Sequence, residues 1–132
     1  MDFSSLVLME KDKETGFITK ELGSFEVNEG ALFVRKLYEQ DNVVYLYFDT
    51  NKDVEEWEYS AIYDLFNVDS FKDAGYEIEE VDDEYNPTYV LKMDYKEEHN
   101  EMKKLIDDAV NLIEEEMENV FEAIKGKEED YI

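Results

Sequence analysis

Cysteine is absent from this chain, and glycine is scarce, with five residues among 132. Without cysteine there is no disulfide, no thiolate nucleophile and no thiolate metal ligand. The scattered glycines form neither a Gly-x-Gly-x-x-Gly sequence nor a Walker loop, and Gly-x-Ser-x-Gly does not occur. Nucleotide chemistry and serine hydrolysis therefore have no visible site in the sequence.

Basic residues are also few, with 13 lysines and arginines against 37 aspartates and glutamates, which gives a net charge of -24. An isoelectric point near 4.1 means that the protein repels phosphate backbones and anionic lipids. We expect no direct binding to nucleic acid and none to a membrane surface. The partner that this charge favours is a basic surface of another protein.

Long apolar runs are missing as well. The run at residues 6–9 is far shorter than the ~20 residues of a membrane span. Asp2 stands in a region where a signal peptide carries basic residues. The expected location is the cytoplasm, whose reducing conditions suit a chain without cysteine.

Hydrophobic residues nevertheless make up 43% of the chain and aromatic residues 14%, which indicates a packed core. A chain of 132 residues has room for one such core. We predict a single α+β domain over residues 1–126, followed by a flexible acidic tail over residues 127–132.

The first half of the chain alternates between apolar and polar residues and is divided by turn residues, a pattern that predicts strands. Gly23 is a predicted bulge in the second of them. Short connections between sequential strands favour an antiparallel meander. The predicted strands cover residues 3–9, 17–27, 31–39 and 43–48.

The second half reads as a helix, a hairpin and a long helix. Asp53 and Glu56 have the spacing of a capping box and predict a helix over residues 53–66. Residues 76–79 and 89–95 alternate as strands, and residues 96–125 form a long helix that ends at Gly126. Its apolar stripe advances 22 residues in six steps, a period that favours packing across a sheet over a coiled coil. The stripe is Met102, Ile106, Ala109, Ile113, Met117, Val120 and Ile124.

No catalytic, metal or cofactor site is predicted. Residues 49–53 begin like a calcium loop, but Val54 and Ser60 stand where that loop needs glycine and glutamate. A strand end followed by a helix cap explains the same residues. His99 is the single histidine and lacks the second histidine or oriented carboxylate that metal and acid-base sites use. No pair among the many carboxylates is distinguished as a glycosidase pair, so we predict a protein that is not an enzyme.

Two stretches carry a family resemblance: DVEEWEYSAIYDLF at residues 53–66 and DEYNPTY at residues 83–89. With them the chain resembles a family of short acidic clostridial proteins of unknown function. The resemblance covers most of the chain and implies a bacterial, cytoplasmic origin. It implies nothing about activity, ligand or site residues.

Residues 53–91 carry 13 acidic residues and one basic residue, so they hold half of the net charge, together with eight aromatic rings. The first hypothesis is a non-enzymatic protein-protein interaction module whose acidic face binds a basic protein surface. An alternative is a DNA mimic that inhibits a nucleic-acid-binding protein, with carboxylates in place of phosphates. An enzyme or metal-binding protein is a third. The predicted partner-binding residues are Glu55, Glu58, Glu79, Asp82, Asp83, Glu84 and Tyr85.

Overall fold

The computed structural model describes residues 4–132, so the first residue of the first predicted strand, Phe3, lies outside it. The strands are β1 (Ser4–Lys11), β2 (Ile18–Val27), β3 (Val34–Gln40), β4 (Val43–Asp49), β5 (Glu77–Val81) and β6 (Thr88–Asp94). The helices are α1 (Glu56–Leu65), α2 (Val68–Asp73) and α3 (His99–Ile124), and 3-10 turns cover Glu29–Phe33 and Glu128–Tyr131. The predicted α+β class is confirmed. In the described part of the chain, no helix has the length and apolar character that a membrane crossing requires.

All six strands form one sheet, in the order β2-β1-β3-β4-β6-β5. Four of the five pairings are antiparallel, but β1 and β3 are parallel. The first four strands are therefore two hairpins joined side by side, and not the simple meander expected from their order. The chain crosses from the outer edge at β2 to β3 through the 3-10 turn. This turn packs so closely on α3 that a Cβ on Gly30 would clash with the carbonyl oxygen of Val110.

The predicted bulge lies next to Gly23. Leu8 pairs with Gly23, while the following residue, Met9, pairs with Glu21. Leu22 is thus the extra residue on β2. The bulge keeps the two strands paired on both sides of the irregularity.

One face of the sheet carries the hydrophobic core and the other is uncovered by helices. On β4, Val44, Leu46 and Phe48 are fully buried, while the alternate residues are half-exposed. Burial therefore follows the period of two that a strand imposes. The long helix α3 covers the core face, and all seven residues of its predicted stripe are buried.

The helix starts differ from the predicted ones. Helix α1 begins two or three residues later than expected, because the Glu55 amide donates to Glu58 Oε1 at 2.8 Å. The carboxylate of Asp53 instead accepts from Asn86 Nδ2 at 3.3 Å. The predicted capping pair was therefore wrong, and a second acid pair takes the role. Helix α2, whose first turn is capped by Asn67, was not predicted at all.

The segment predicted as a tail lies against α1. Its 3-10 turn places the Tyr131 hydroxyl 2.9 Å from Asp64 Oδ2, to which it donates a hydrogen bond. Helix α3 ends at Ile124, and Gly126 follows its cap residue with a φ of 78°, so the helix stops at this glycine as predicted.

Candidate interaction surface

The loop of residues 82–87 joins β5 to β6 and is held at its base by Tyr63 of α1. The Tyr63 hydroxyl accepts a hydrogen bond from the Thr88 amide at 3.0 Å. It lies 3.2 Å from the carbonyl oxygens of both Val81 and Thr88, to which its own proton is directed. Burial raises the pKa of Tyr63 to about 12, so the phenol keeps its proton, and with it these bonds, into the alkaline range.

The outer part of the same loop is also fixed to α1. The Tyr59 hydroxyl donates to the Glu84 carbonyl at 3.1 Å. The rings of Tyr59 and Tyr63 meet edge to face with centroids 5.1 Å apart. Consecutive turns of one helix therefore position the loop beside the start of α1. This contact and the hydrogen bond from Asn86 to Asp53 place the start of α1 next to the loop. Glu55 and Glu58 belong to that start, and Glu58 also lines a hollow with Phe121 and Lys125 at the end of α3.

We call this set the acidic corner, defined as Glu55, Glu58, Asp82, Asp83, Glu84 and Tyr85. Its three loop carboxylates are exposed. Within residues 4–132, none of the carboxylates of the acidic corner forms an ion pair with lysine or arginine. Asp83 has a φ of 66°, so the loop turns sharply at its centre. The three loop carboxylates are therefore open to a cationic partner, while those of Glu55 and Glu58 accept hydrogen bonds at the start of α1.

The aromatic residues of this region differ in exposure. Tyr85 is 78% exposed, so its ring is accessible. Trp57 is half-buried and packs against the core, while its indole Nε1 donates to Glu55 Oε2 at 2.8 Å. Glu55 is thus held in place by a core residue, and Tyr85 is the aromatic group free to make contact.

Glu79, also predicted for this site, lies elsewhere. It pairs with Val90 across β5 and β6, and its carboxylate forms an ion pair with Lys92 at 3.2 Å. Both residues belong to the uncovered face of the sheet. The acidic corner therefore contains six of the seven predicted residues, and Glu79 is separated from them.

The uncovered face, which we call the open face, carries an aromatic cluster that the sequence reasoning missed. Tyr38 stacks on Tyr45 with ring centroids 5.1 Å apart and on Tyr47 at 6.1 Å. The Lys11 ammonium lies 4.5 Å from the centre of the Tyr38 ring, and that of Lys36 lies 5.2 Å from the centre of Tyr47. Tyr45 and Tyr47 share a face because side chains alternate along a strand. Their meeting with Tyr38 and the lysines depends on strand pairing.

The glutamates of α3 do not form one exposed band. Glu116 is buried and accepts a hydrogen bond from Ser70 Oγ at 2.5 Å and from Asn119 Nδ2 at 3.0 Å. A DNA mimic would need exposed carboxylates in rows, and Glu116 is not available for such a row. Glu115, Glu118 and Glu122 remain exposed.

The residues of the calcium-like segment and the single histidine have structural partners. Asp49 Oδ1 accepts from Arg35 Nε at 2.8 Å and from the Asn51 amide at 2.8 Å. The ring of His99 stacks on Phe25 with centroids 4.8 Å apart. Among residues 4–132, no group of three or more histidine, aspartate or glutamate residues is arranged to hold a metal ion.

The chain belongs to a family of unknown function, DUF6762, whose model matches residues 1–132. This confirms the predicted membership of a family of unknown function. No curated protein and no solved structure matches the chain.

Proposed function

We propose that the protein is a non-enzymatic interaction module whose acidic corner binds a basic surface of another protein. The observation that carries the proposal is the loop of residues 82–87, where three exposed carboxylates that form no ion pair within residues 4–132 precede the exposed ring of Tyr85. Tyr59 and Tyr63 fix this loop before any partner arrives. A preformed loop loses little conformational freedom on binding, which favours affinity.

The two kinds of residue have different roles in this proposal. Carboxylates at the rim of an interface attract a basic partner and raise the association rate. An aromatic ring supplies contact area at the centre of an interface. Asp82, Asp83 and Glu84 therefore steer the partner, and Tyr85 makes the apolar contact.

The proposal also places the protein in the cytoplasm of a bacterium. That location suits a chain without cysteine. Because the whole chain carries a charge of -24, basic proteins are attracted to it from every side. Specificity then depends on the loop and not on net charge.

An affinity pull-down with two charge-matched triple variants tests this. One variant changes Asp82, Asp83 and Glu84 to lysine, and the other changes Glu115, Glu118 and Glu122 of α3 to lysine. Both raise the net charge by the same amount, so general attraction is equal. We expect the loop variant to lose partners that wild type captures at low salt and the α3 variant to keep them.

If only the α3 variant lost these partners, the interface would lie on that helix and not at the acidic corner. If those partners were nucleic-acid-binding proteins displaced by duplex DNA, the DNA-mimic alternative would replace the proposal. Equal capture by both variants and wild type would contradict an interface at either surface.

A further inference from the structure

The open face carries a cluster of tyrosine rings with lysines over them, and its carboxylates include Glu21 on β2, Glu77 and Glu79 on β5, and Asp94 on β6. Its central strands are β1, β3, β4 and β6. The tyrosine cluster occupies the middle, and Lys11 and Lys36 lie over the tyrosine rings. Neither lysine forms an ion pair with a carboxylate of residues 4–132. In a chain with 37 acidic residues, such a surface needs an explanation.

We propose that a second copy of the chain covers the open face, sheet against sheet, to form a symmetric dimer. The two-fold axis runs parallel to the strands between β3 and β4, at the middle of the six-stranded sheet. This operation places β3 of one copy over β4 of the other, β1 over β6, and β2 over β5. Each residue then meets the residue at the same level of the opposite strand.

The strand register makes this arrangement complementary at its centre. Tyr38 lies opposite Tyr45 in the sheet, so the two-fold operation stacks Tyr38 of one copy over Tyr45 of the other. Met9 of β1 lies beside Tyr38 of the parallel strand β3, so Val7, two residues earlier, lies at the level of Lys36. Lys36 pairs with Tyr47, and Tyr47 pairs with Val90. Val7 of one copy therefore meets Val90 of the other. Val7 is 41% exposed as a monomer surface and would be covered.

The charges also match at the same register. Lys11 follows Glu10, which pairs with Glu39, so Lys11 lies at the level of Gln40. At that level Val43 pairs with Asp94, which is exposed. The two-fold operation therefore brings Lys11 of each copy to Asp94 of the other. A dimer contains this pair twice.

The net charge of each copy does not prevent this contact. Packed sheets lie about 10 Å apart and helices pack about another 10 Å behind each sheet, so the two α3 layers are about 30 Å apart. This is several times the screening length of about 8 Å at physiological ionic strength.

At the rim of the interface two carboxylates come together. Glu21 pairs with Met9 and Glu77 pairs with Lys92. Met9 and Lys92 both lie at the level of the Tyr38–Tyr45 pair, so Glu21 of one copy approaches Glu77 of the other. Added salt should therefore strengthen the dimer.

The open face is large enough for a stable contact. Six strands about 4.8 Å apart and about 24 Å long give a projected area of roughly 700 Å². Standard interfaces bury about 800 Å² for each partner. Nucleic acid fits the surface less well, because a chain with a net charge of -24 repels the phosphate backbone.

Sedimentation velocity over a concentration series tests the dimer, at about 0.05 M and about 0.5 M salt. We expect the mass to double from the 15.7 kDa of one chain as the protein concentration rises. In the higher salt this doubling should occur at a lower protein concentration. Tyr45→Glu should remain monomeric, and Tyr85→Glu, the matched change on the acidic corner, should dimerise like wild type. Circular dichroism checks the fold of both variants.

Exchanging the charges of Lys11 and Asp94 tests the dimer independently, even if Tyr45→Glu fails to fold. Lys11→Asp and Asp94→Lys should each weaken the dimer by about two- to thirtyfold, because a surface ion pair contributes about 0.2–1 kcal/mol and occurs twice. The double exchange should restore it. A monomer under all conditions, or single changes whose losses simply add in the double variant, would overturn the proposal. Binding of a single-stranded oligonucleotide that Tyr45→Glu abolishes would also overturn it.

Discussion

The Tyr63 hydroxyl lies 3.0 Å from the Thr88 amide nitrogen and ties helix α1 to the base of the loop that carries the acidic corner. This one contact joins two segments that are 25 residues apart in the chain. The position of the loop carboxylates therefore depends on a half-buried phenol of α1.

Tyr63→Phe should lower the free energy of unfolding by about 1–3 kcal/mol. The substitution removes the acceptor of the Thr88 amide and leaves a buried polar group without this bond. Urea unfolding, with the slope checked for equality, measures the change. Tyr85→Phe is the control, since its ring is exposed, and should stay within about 0.5 kcal/mol of wild type. Equal stability of all three proteins would argue against a structural role for the Tyr63 hydroxyl.

Alkaline pH should destabilise the protein between about pH 10 and pH 12. Burial raises the pKa of Tyr63 and that of Tyr76 to about 12, whereas an unfolded tyrosine has a pKa of about 10. In this window the folded state retains protons that the unfolded state releases, so the free energy of unfolding falls as pH rises. The contribution is fully present below pH 10 and is lost through pH 12.

Denaturant unfolding at a series of alkaline pH values measures this slope. Ionisation of the tyrosines can be monitored by the absorbance of tyrosinate, and it should coincide with unfolding. The double variant Tyr63→Phe, Tyr76→Phe should show a shallower slope, whatever its stability at neutral pH. A wild-type free energy that is constant over this window would contradict the expectation.

Glu116 should contribute more to stability than its neighbour Glu115. Glu116 is buried and accepts from Ser70 Oγ and Asn119 Nδ2, whereas Glu115 is exposed. Glu116→Ala leaves these donors unpaired and should cost about 1–3 kcal/mol. Glu115→Ala should change stability by no more than about 0.5 kcal/mol. Thermal or urea unfolding of the pair decides the point, and equal losses would show that the hydrogen bonds of Glu116 carry no special weight.

The apolar stripe of α3 was predictable because its residues lie on one face of one helix, so a local period decides their burial. The parallel pairing of β1 with β3 was not, because it joins strands separated by β2 and the 3-10 turn. Helix α2 was missed since its Asn67 cap stands in a stretch without a long apolar period. For the candidate site, the loop carboxylates and Tyr85 could be predicted because they are consecutive in the chain. The separation of Glu79 and the cluster on the open face depend on which strands are neighbours.

Added salt should raise the melting temperature. The chain carries 37 acidic residues against 13 basic ones, and the folded state brings like charges closer than the unfolded chain does. Screening relieves this repulsion. A thermal melt in increasing sodium chloride measures it, at a protein concentration low enough to keep the chain monomeric. A melting temperature that falls with salt would mean that the surface ion pairs, such as Lys104 with Asp108 at 2.8 Å, dominate instead.

The association rate of a captured basic partner with the acidic corner tests the central claim most directly. Stopped-flow or surface-based kinetics should compare wild type with the variant that carries lysine at positions 82, 83 and 84, each at low and high salt. The account predicts a slower association for the variant and a weaker dependence of its rate on salt, because rim charges act mainly on the encounter step. An association rate and a salt dependence equal to those of wild type would contradict it.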